Sequence, residues 1–226
     1  MMKPRLIMEN VTQTFQDGES SVTILDGLSL EVGEGELVAV TGPSGSGKST
    51  FLSIAGALLS PTAGEVSVDG QPLGGMDAGQ LADLRLNKLG FVFQSANLIP
   101  YLRVEEQLLL VAKLSGTPAA AASERARELL ERLGLGHRRR YYPEKLSGGE
   151  RQRAAVARAW MNDPSVIYAD EPTASLDAER GRDVVRMLRD GVKEQRKAGV
   201  MVTHDERVLE FCDRVLKLEN GRLQPA

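Results

Sequence analysis

The residues best placed to do chemistry in this 226-residue chain are Gly42-Pro43-Ser44-Gly45-Ser46-Gly47-Lys48-Ser49-Thr50. They follow the apolar run Leu37-Val38-Ala39-Val40 and precede Phe51-Leu52-Ser53-Ile54-Ala55. Strand, glycine loop, then helix is the setting a phosphate-binding loop needs. Gly42, Gly45 and Gly47 let the backbone turn tightly, so successive N–H groups can face phosphate oxygens. The helix start adds unpaired N–H groups and a positive dipole end. Lys48 is expected between the β- and γ-phosphates, and Ser49 is expected to offer its hydroxyl to Mg²⁺.

Three further groups suit the same chemistry. Asp170-Glu171 closes the apolar strand Val166-Ile167-Tyr168-Ala169. Asp170 suits Mg²⁺, directly or through water, and Glu171 could polarise an attacking water. Gln94 follows Leu89-Gly90-Phe91-Val92-Phe93, and its amide could reach Mg²⁺ and that water. His204 follows Gly199-Val200-Met201-Val202-Thr203 and could hydrogen-bond a γ-phosphate. A strand-end glutamine and a lone histidine each have an ordinary structural reading as well. Their weight comes from falling at strand ends together with the others. Ser147-Gly148-Gly149 reads as a second anion-binding helix start. One nucleotide already has its own loop, so this second start is expected to serve the nucleotide of another copy. Two chains about a twofold axis would then enclose two ATP molecules.

The elements that must hold these groups alternate between strand and helix. That pattern indicates an α/β fold with a mostly parallel sheet and helices on both faces, and it puts ligands at the carboxyl ends of the strands. Short β-like pieces, Leu6-Ile7-Met8, Val22-Thr23-Ile24-Leu25 and Leu28-Ser29-Leu30, suggest an antiparallel sheet beside the core. Residues 64–70 read as a hairpin ending in Asp69-Gly70. A helical pattern from about residue 104 to 135 is broken at Gly116 and Pro118, and an amphipathic stretch starts at Ser123. Further helices are expected from Arg151 to Trp160 and from Ala178 to Lys197, and Asn220-Gly221 marks a terminal hairpin. His137 and Arg138-Arg139-Arg140 read as a solvated basic turn.

Composition narrows the partners. With 42% hydrophobic residues the chain can bury a sizeable core, and a net charge of −3 argues against nucleic acid as the main partner. The single cysteine, Cys212, cannot form an internal disulfide. Residues 1–11 lack the apolar core of a signal peptide, and no run of about 18 apolar residues is present. A membrane role is therefore expected to come through a partner.

Leu146-Ser147-Gly148-Gly149-Glu150 resembles the signature motif of ABC-transporter ATPases. Gly42 to Ser49 is similar to their Walker A motif, and Val166 to Asp170 with Glu171 to their Walker B motif and catalytic glutamate. Ser175-Leu176-Asp177 resembles the D-loop, Gln94 the Q-loop and His204 the switch histidine. The match runs from about residue 5 to 221. It implies a P-loop NTPase fold with a RecA-like core, an antiparallel β-subdomain and a helical signature subdomain. A single domain over 1–226 is expected, with core and β-subdomain in 1–95 and 161–226 and the helical part in about 96–160. Catalytic roles fall to Glu171, His204, Lys48 and Gln94. Nucleotide contacts fall to the 42–50 loop, to Ser147, Gly148 and Gly149, to Asp177, and to Phe15, where the family usually has an adenine-stacking tyrosine. A phenyl ring still stacks but lacks a hydroxyl, and Phe15 could instead be a core residue. The other departure is Glu150, where many members have glutamine.

The run from Phe91 to Pro100 resembles the lipoprotein-releasing, macrolide-export and cell-division branch. There the ATPase is a separate polypeptide docked on a membrane permease subunit. Asn97, Leu98, Ile99, Pro100 and Tyr101 would line the docking groove, so the permease is expected near Gln94–Tyr101. The resemblance implies ATP hydrolysis in a head-to-tail dimer that drives export or extraction, at the cytoplasmic face of a bacterial inner membrane. A transmembrane signalling module that controls a cell-envelope enzyme is the alternative. An ABC-type ATPase acting on DNA or ribosomes would usually carry coiled-coil insertions or tandem domains, and neither is seen.

Overall fold

The computed structural model describes residues 3–18 and 20–226. Its centre is a six-stranded sheet. In chain order the strands are β1 (Pro4–Asp17), β2 (Ser20–Gly33), β3 (Glu36–Thr41), β4 (Ala63–Val68), β5 (Gln71–Pro72), β6 (Leu89–Val92), β7 (Val166–Asp170), β8 (Ala198–Val202), β9 (Arg214–Glu219) and β10 (Arg222–Pro225). The helices are α1 (Lys48–Ala55), α2 (Ala78–Lys88), α3 (Val104–Leu114), α4 (Ala119–Arg132), α5 (Gly148–Ala159) and α6 (Ala178–Glu194). The central sheet runs β10-β9-β3-β8-β7-β6, and β9, β3, β8, β7 and β6 are mutually parallel. A second, antiparallel sheet runs β2-β1-β4-β5.

Strand alternation divides the core in two. Leu37, Ala39, Ile167, Ala169 and Met201 face a cluster completed by α3, α4, α5 and α6. Val38, Val40, Val166, Tyr168, Val200 and Val202 face the other, completed by α1, Leu84 of α2 and the antiparallel sheet. Helices thus lie on both faces as expected, and on one side the antiparallel sheet shares the covering with α1 and α2. An ion-pair cluster fastens that sheet to the core. Arg5 reaches Asp69 at 2.6 Å and Glu34 at 2.7 Å, while Ser165, just before β7, donates to the same Asp69 carboxylate.

The three short β pieces near the start are parts of two 14-residue strands. The strands stay paired through register shifts, and Gly27 at φ +61° takes up part of the distortion. Asp69 and Gly70 turn the β4–β5 hairpin with positive φ values of 53° and 75°. Helix α2 was not expected. Asp77 and Gln80 form a reciprocal capping box at its start. Helix α5 starts at Gly148, within the glycine pair, and α4 starts four residues ahead of Ser123. Among the described residues no helix is long and apolar enough to cross a membrane.

Candidate nucleotide site

The glycine loop joins β3 to α1 and is held from both sides. A Cβ on Gly42 would lie 2.4 Å from the Leu218 carbonyl oxygen, and one on Gly47 would lie 2.8 Å from Ile24 Cγ2. Gly42, Gly45 and Gly47 have φ values of 147°, 79° and 98°, which favour glycine. Lys48 Nζ donates to the carbonyls of Gly42 and Pro43, each at 2.8 Å, so the ammonium lies over the loop. Ser46 Oγ is buried without a hydrogen-bond partner among the described residues, as suits a hydroxyl meant for an outside ligand. Pro43, Ser44 and Gly45 form the exposed crest, while Thr50 lies in the first turn of α1.

Ser49 and Asp170 line one small cavity of about 90 Å³ with Phe93. A hydroxyl and a carboxylate facing one space are hard oxygen donors of the kind Mg²⁺ takes, alongside water and phosphate. Burial raises the Asp170 pKa and the neighbouring Glu171 raises it further, while Lys48 opposes them. A cation seated there would favour the charged carboxylate.

Glu171 sits just past β7 with φ +46°, an uncommon conformation for glutamate. Its N–H bonds the Val202 carbonyl at 2.9 Å, which ties the ends of β7 and β8 together. His204 Nδ1 lies 2.9 Å from Glu171 Oε1, and the His204 N–H donates to Oε2 at 3.3 Å. The carboxylate is largely buried at 15% exposure while the ring is open at 72%. A neutral ring with its proton on Nδ1 leaves Nε2 as an acceptor. To donate to a phosphoryl oxygen, the ring must be protonated or must release Glu171 and turn.

Gln94 lies two residues past β6, whose strand ends at Val92 rather than Phe93, and it is exposed. Its loop is anchored by three residues that the sequence reading missed. Gln152 of α5 donates to the Phe93 carbonyl at 2.9 Å. Arg158 donates to the carbonyls of Asn97 at 2.7 Å and Ala96 at 3.0 Å. Gln107 of α3 accepts from Ile99 N and donates to the carbonyls of Ile99 and Leu102. Gln107 and Gln152 are buried and Arg158 half-buried, and burial is not visible in sequence. Beside this loop lies a groove of about 340 Å³, lined by Arg85, Phe91, Phe93, Asn97, Arg158 and Asn162 among others. Of the expected docking residues, Tyr101 is open, at 78% exposure, whereas Leu98 packs partly against the core.

Ser147 caps α5. Its Oγ accepts from Glu150 N at 3.2 Å, while Glu150 Oε2 accepts from Ser147 N at 2.8 Å. A Cβ on Gly148 would meet nothing closer than Leu176 Cδ2 at 3.7 Å, whereas one on Gly149 would crowd Arg180 Cδ at 3.2 Å. Asp177 caps α6 by accepting from Arg180 N at 3.0 Å. Phe15 is 42% exposed and so is not a core residue. It pairs with Val22 on β2, two residues along the strand from Ile24, which packs on Gly47. The ring therefore belongs to the hairpin that flanks the phosphate loop.

The sequence profile of the ABC transporter family matches residues 25–174. A relative from Staphylococcus haemolyticus, named putative hemin import ATP-binding protein HrtA, is 45% identical over 97% of this chain and 99% of its own length. The protein of that name from Staphylococcus aureus is 48% identical over 96% and 98%. Among solved structures, the ATP-binding cassette MJ0796, dimeric and bound to ADP and phosphate, superposes with a TM-score of 0.87. It is 38% identical, and the match covers 97% of this chain and 96% of that one. CbiO1 from Clostridium perfringens, part of the CbiONQ transporter complex, gives a TM-score of 0.88 at 27% identity, over 98% and 87% of the two chains.

Proposed function

This chain belongs to the ABC transporter family as an ATP-binding, ATP-hydrolysing subunit, and on that premise we propose how its residues share the work. The 42–50 loop grips the triphosphate and Lys48 meets its outer phosphates. Ser49, Asp170 and Gln94 hold Mg²⁺, which when bound neutralises charge on the phosphates. Phe15 stacks on the adenine. Glu171 orients the attacking water and takes its proton, and His204 and Lys48 stabilise the transferring phosphoryl group.

Ser147, Gly148 and Gly149 complete the site of a second copy, and Asp177 belongs to that junction through the loop it caps. The observation that carries this reading is Gly148. Neither its backbone conformation nor its neighbours in its own chain require a bare Cα, so the space it keeps suits something from outside. The dimeric form of MJ0796 supports the same arrangement.

The helical part, about residues 96–160, acts as a lobe that moves a permease subunit. That subunit seats in the groove beside Gln94–Tyr101 and holds this chain as a peripheral protein at the cytoplasmic face of the bacterial inner membrane. The relatives' name supports a haem-like tetrapyrrole as cargo. That name says import, whereas the branch resemblance pointed to export or extraction. The cargo path runs through the permease, so direction is a property of the complex.

The test is Glu171→Gln. Turnover should fall by about 10²–10⁴-fold, while ATP binding persists and a closed dimer accumulates on size exclusion. Turnover at the wild-type rate would remove Glu171 as the base. Vesicles carrying the chain with its co-purifying permease should move haem only with ATP, and the side on which haem collects gives the direction.

A further inference from the structure

Glu150 poses an electrostatic problem. It stands at the third position of α5, where a carboxylate draws on the same positive helix end that an incoming anion needs. If α5 meets a triphosphate, a full negative charge lies one helical turn from it. The structure pairs that charge. Arg138 Nε donates to Glu150 Oε1 at 2.9 Å, and Glu150 Oε2 is taken by Ser147 N at 2.8 Å. Ser147 Oγ accepts from Glu150 N, and its own O–H proton, which can bond the Glu150 carboxylate, can rotate toward an anion once Arg138 shares that carboxylate. The Arg138 guanidinium in turn lies over the Tyr141 ring, 4.8 Å from its centroid. The carbonyls of Tyr141 and Arg139 accept the N–H groups of Val104 and Glu105 at the start of α3. Arg138 is thus fixed in place by the turn that carries it. His137 and Arg138-Arg139-Arg140, within that turn, read from sequence as a solvated basic turn.

We infer that Arg138 is a positioning residue for the anion-binding end of α5, neutralising Glu150 and holding it in the capping box so that Ser147 presents its hydroxyl proton to the triphosphate held by a second copy. This rests on the two-copy reading above. A glutamine at position 150 would form the same box without the charge and would make Arg138 dispensable. Hydrogen bonds from Ser147 and Arg138 outweigh burial and hold the Glu150 carboxyl below its ordinary pKa, which favours its charged form.

The experiment measures ATP-dependent dimerisation of the full chain in a Glu171→Gln background, with nucleotide binding to the monomer measured separately at low protein concentration. Arg138→Gln should raise the ATP concentration for half-maximal dimerisation by about tenfold, with monomer binding unchanged and a smaller loss at high salt, where the unpaired Glu150 charge is screened. Adding Glu150→Gln should restore most of that loss. An arginine that merely braces the turn would not be rescued by removing a charge elsewhere. Arg138→Lys, which keeps the charge, should fall between wild type and Arg138→Gln. A neutral Arg138→Gln, or one that Glu150→Gln does not rescue, overturns the inference. If the background chain forms no ATP-dependent dimer, the two-copy reading itself fails, and the inference falls with it in a distinguishable way.

Discussion

Two helices in this chain start at glycine and serine, and their surroundings differ. At α1 the glycines are locked by their own chain. Gly42 abuts the Leu218 carbonyl, Gly47 abuts Ile24, and Lys48 folds back onto two loop carbonyls. At α5, Gly148 has nothing within 3.7 Å of an added Cβ, and Ser147 needs only Glu150 to be capped. One start is complete within the protomer. The other is finished as a helix but not as a site. A glycine demanded by its own fold and a glycine kept for a visitor look alike in sequence and can be separated only by what stands next to them.

The most forceful way to break this contrast is Ser147→Arg, which fills the open end. Turnover should drop by about 10²-fold or more while the monomer still binds ATP. Loss of monomer binding would move that end into the site of its own chain. Next comes the matched pair Gly47→Ala and Gly148→Ala. The first should destabilise the fold by about 1–3 kcal/mol, since φ is +98° and the new methyl meets Ile24, and it should weaken nucleotide binding. The second should leave the melting temperature unchanged or slightly raised, since alanine favours helix over glycine by about 1 kcal/mol, yet still reduce turnover by about tenfold or more. Equal thermal effects from the two would erase the distinction.

Phe15 sharpens the picture of the α1 side. Phe15→Ala should weaken ATP binding by roughly tenfold, in keeping with about 1–3 kcal/mol for base stacking, while Phe15→Tyr should change it by less than about threefold. The smallest effect concerns acid stability. Hydrogen bonds to the Glu150 carboxylate lower its pKa, so the stability it contributes is present above its ordinary value near 4.5 and is lost as pH falls through the lower folded value. Any stability lead of the wild type over Glu150→Gln should therefore shrink in acid denaturation scans below that pH. A lead that grew would mean the carboxylate is not held charged.

Much of this was legible beforehand for a physical reason. Gly42, Gln94, Asp170 and His204 each follow an apolar run, and parallel strands deliver their carboxyl ends to one edge. The antiparallel sheet was legible as a sheet but not as long strands, because bulges and Gly27 interrupt the alternation that marks a strand. Helix α2 escaped because its apolar face is thin, although Asp77 and Gln80 announced its start. Gln107, Gln152 and Arg158 could not be singled out. Polar residues in a helical pattern look solvated until the chain that buries them is placed. The Arg138–Glu150 pair spans twelve positions across a turn, with no periodic signal to reveal it.

The amide of Gln152 binds the Phe93 carbonyl, so α5 and the segment leaving β6 share one anchor. With a permease seated by that segment and a nucleotide at the tip of α5, the two occupants would write to the same structural variable. Thermodynamic reciprocity then requires that whatever free energy the permease lends to dimer closure, the nucleotide returns to the grip on the permease. A membrane protein that favours the closed, ATP-bound dimer should in turn be held more tightly while ATP is bound.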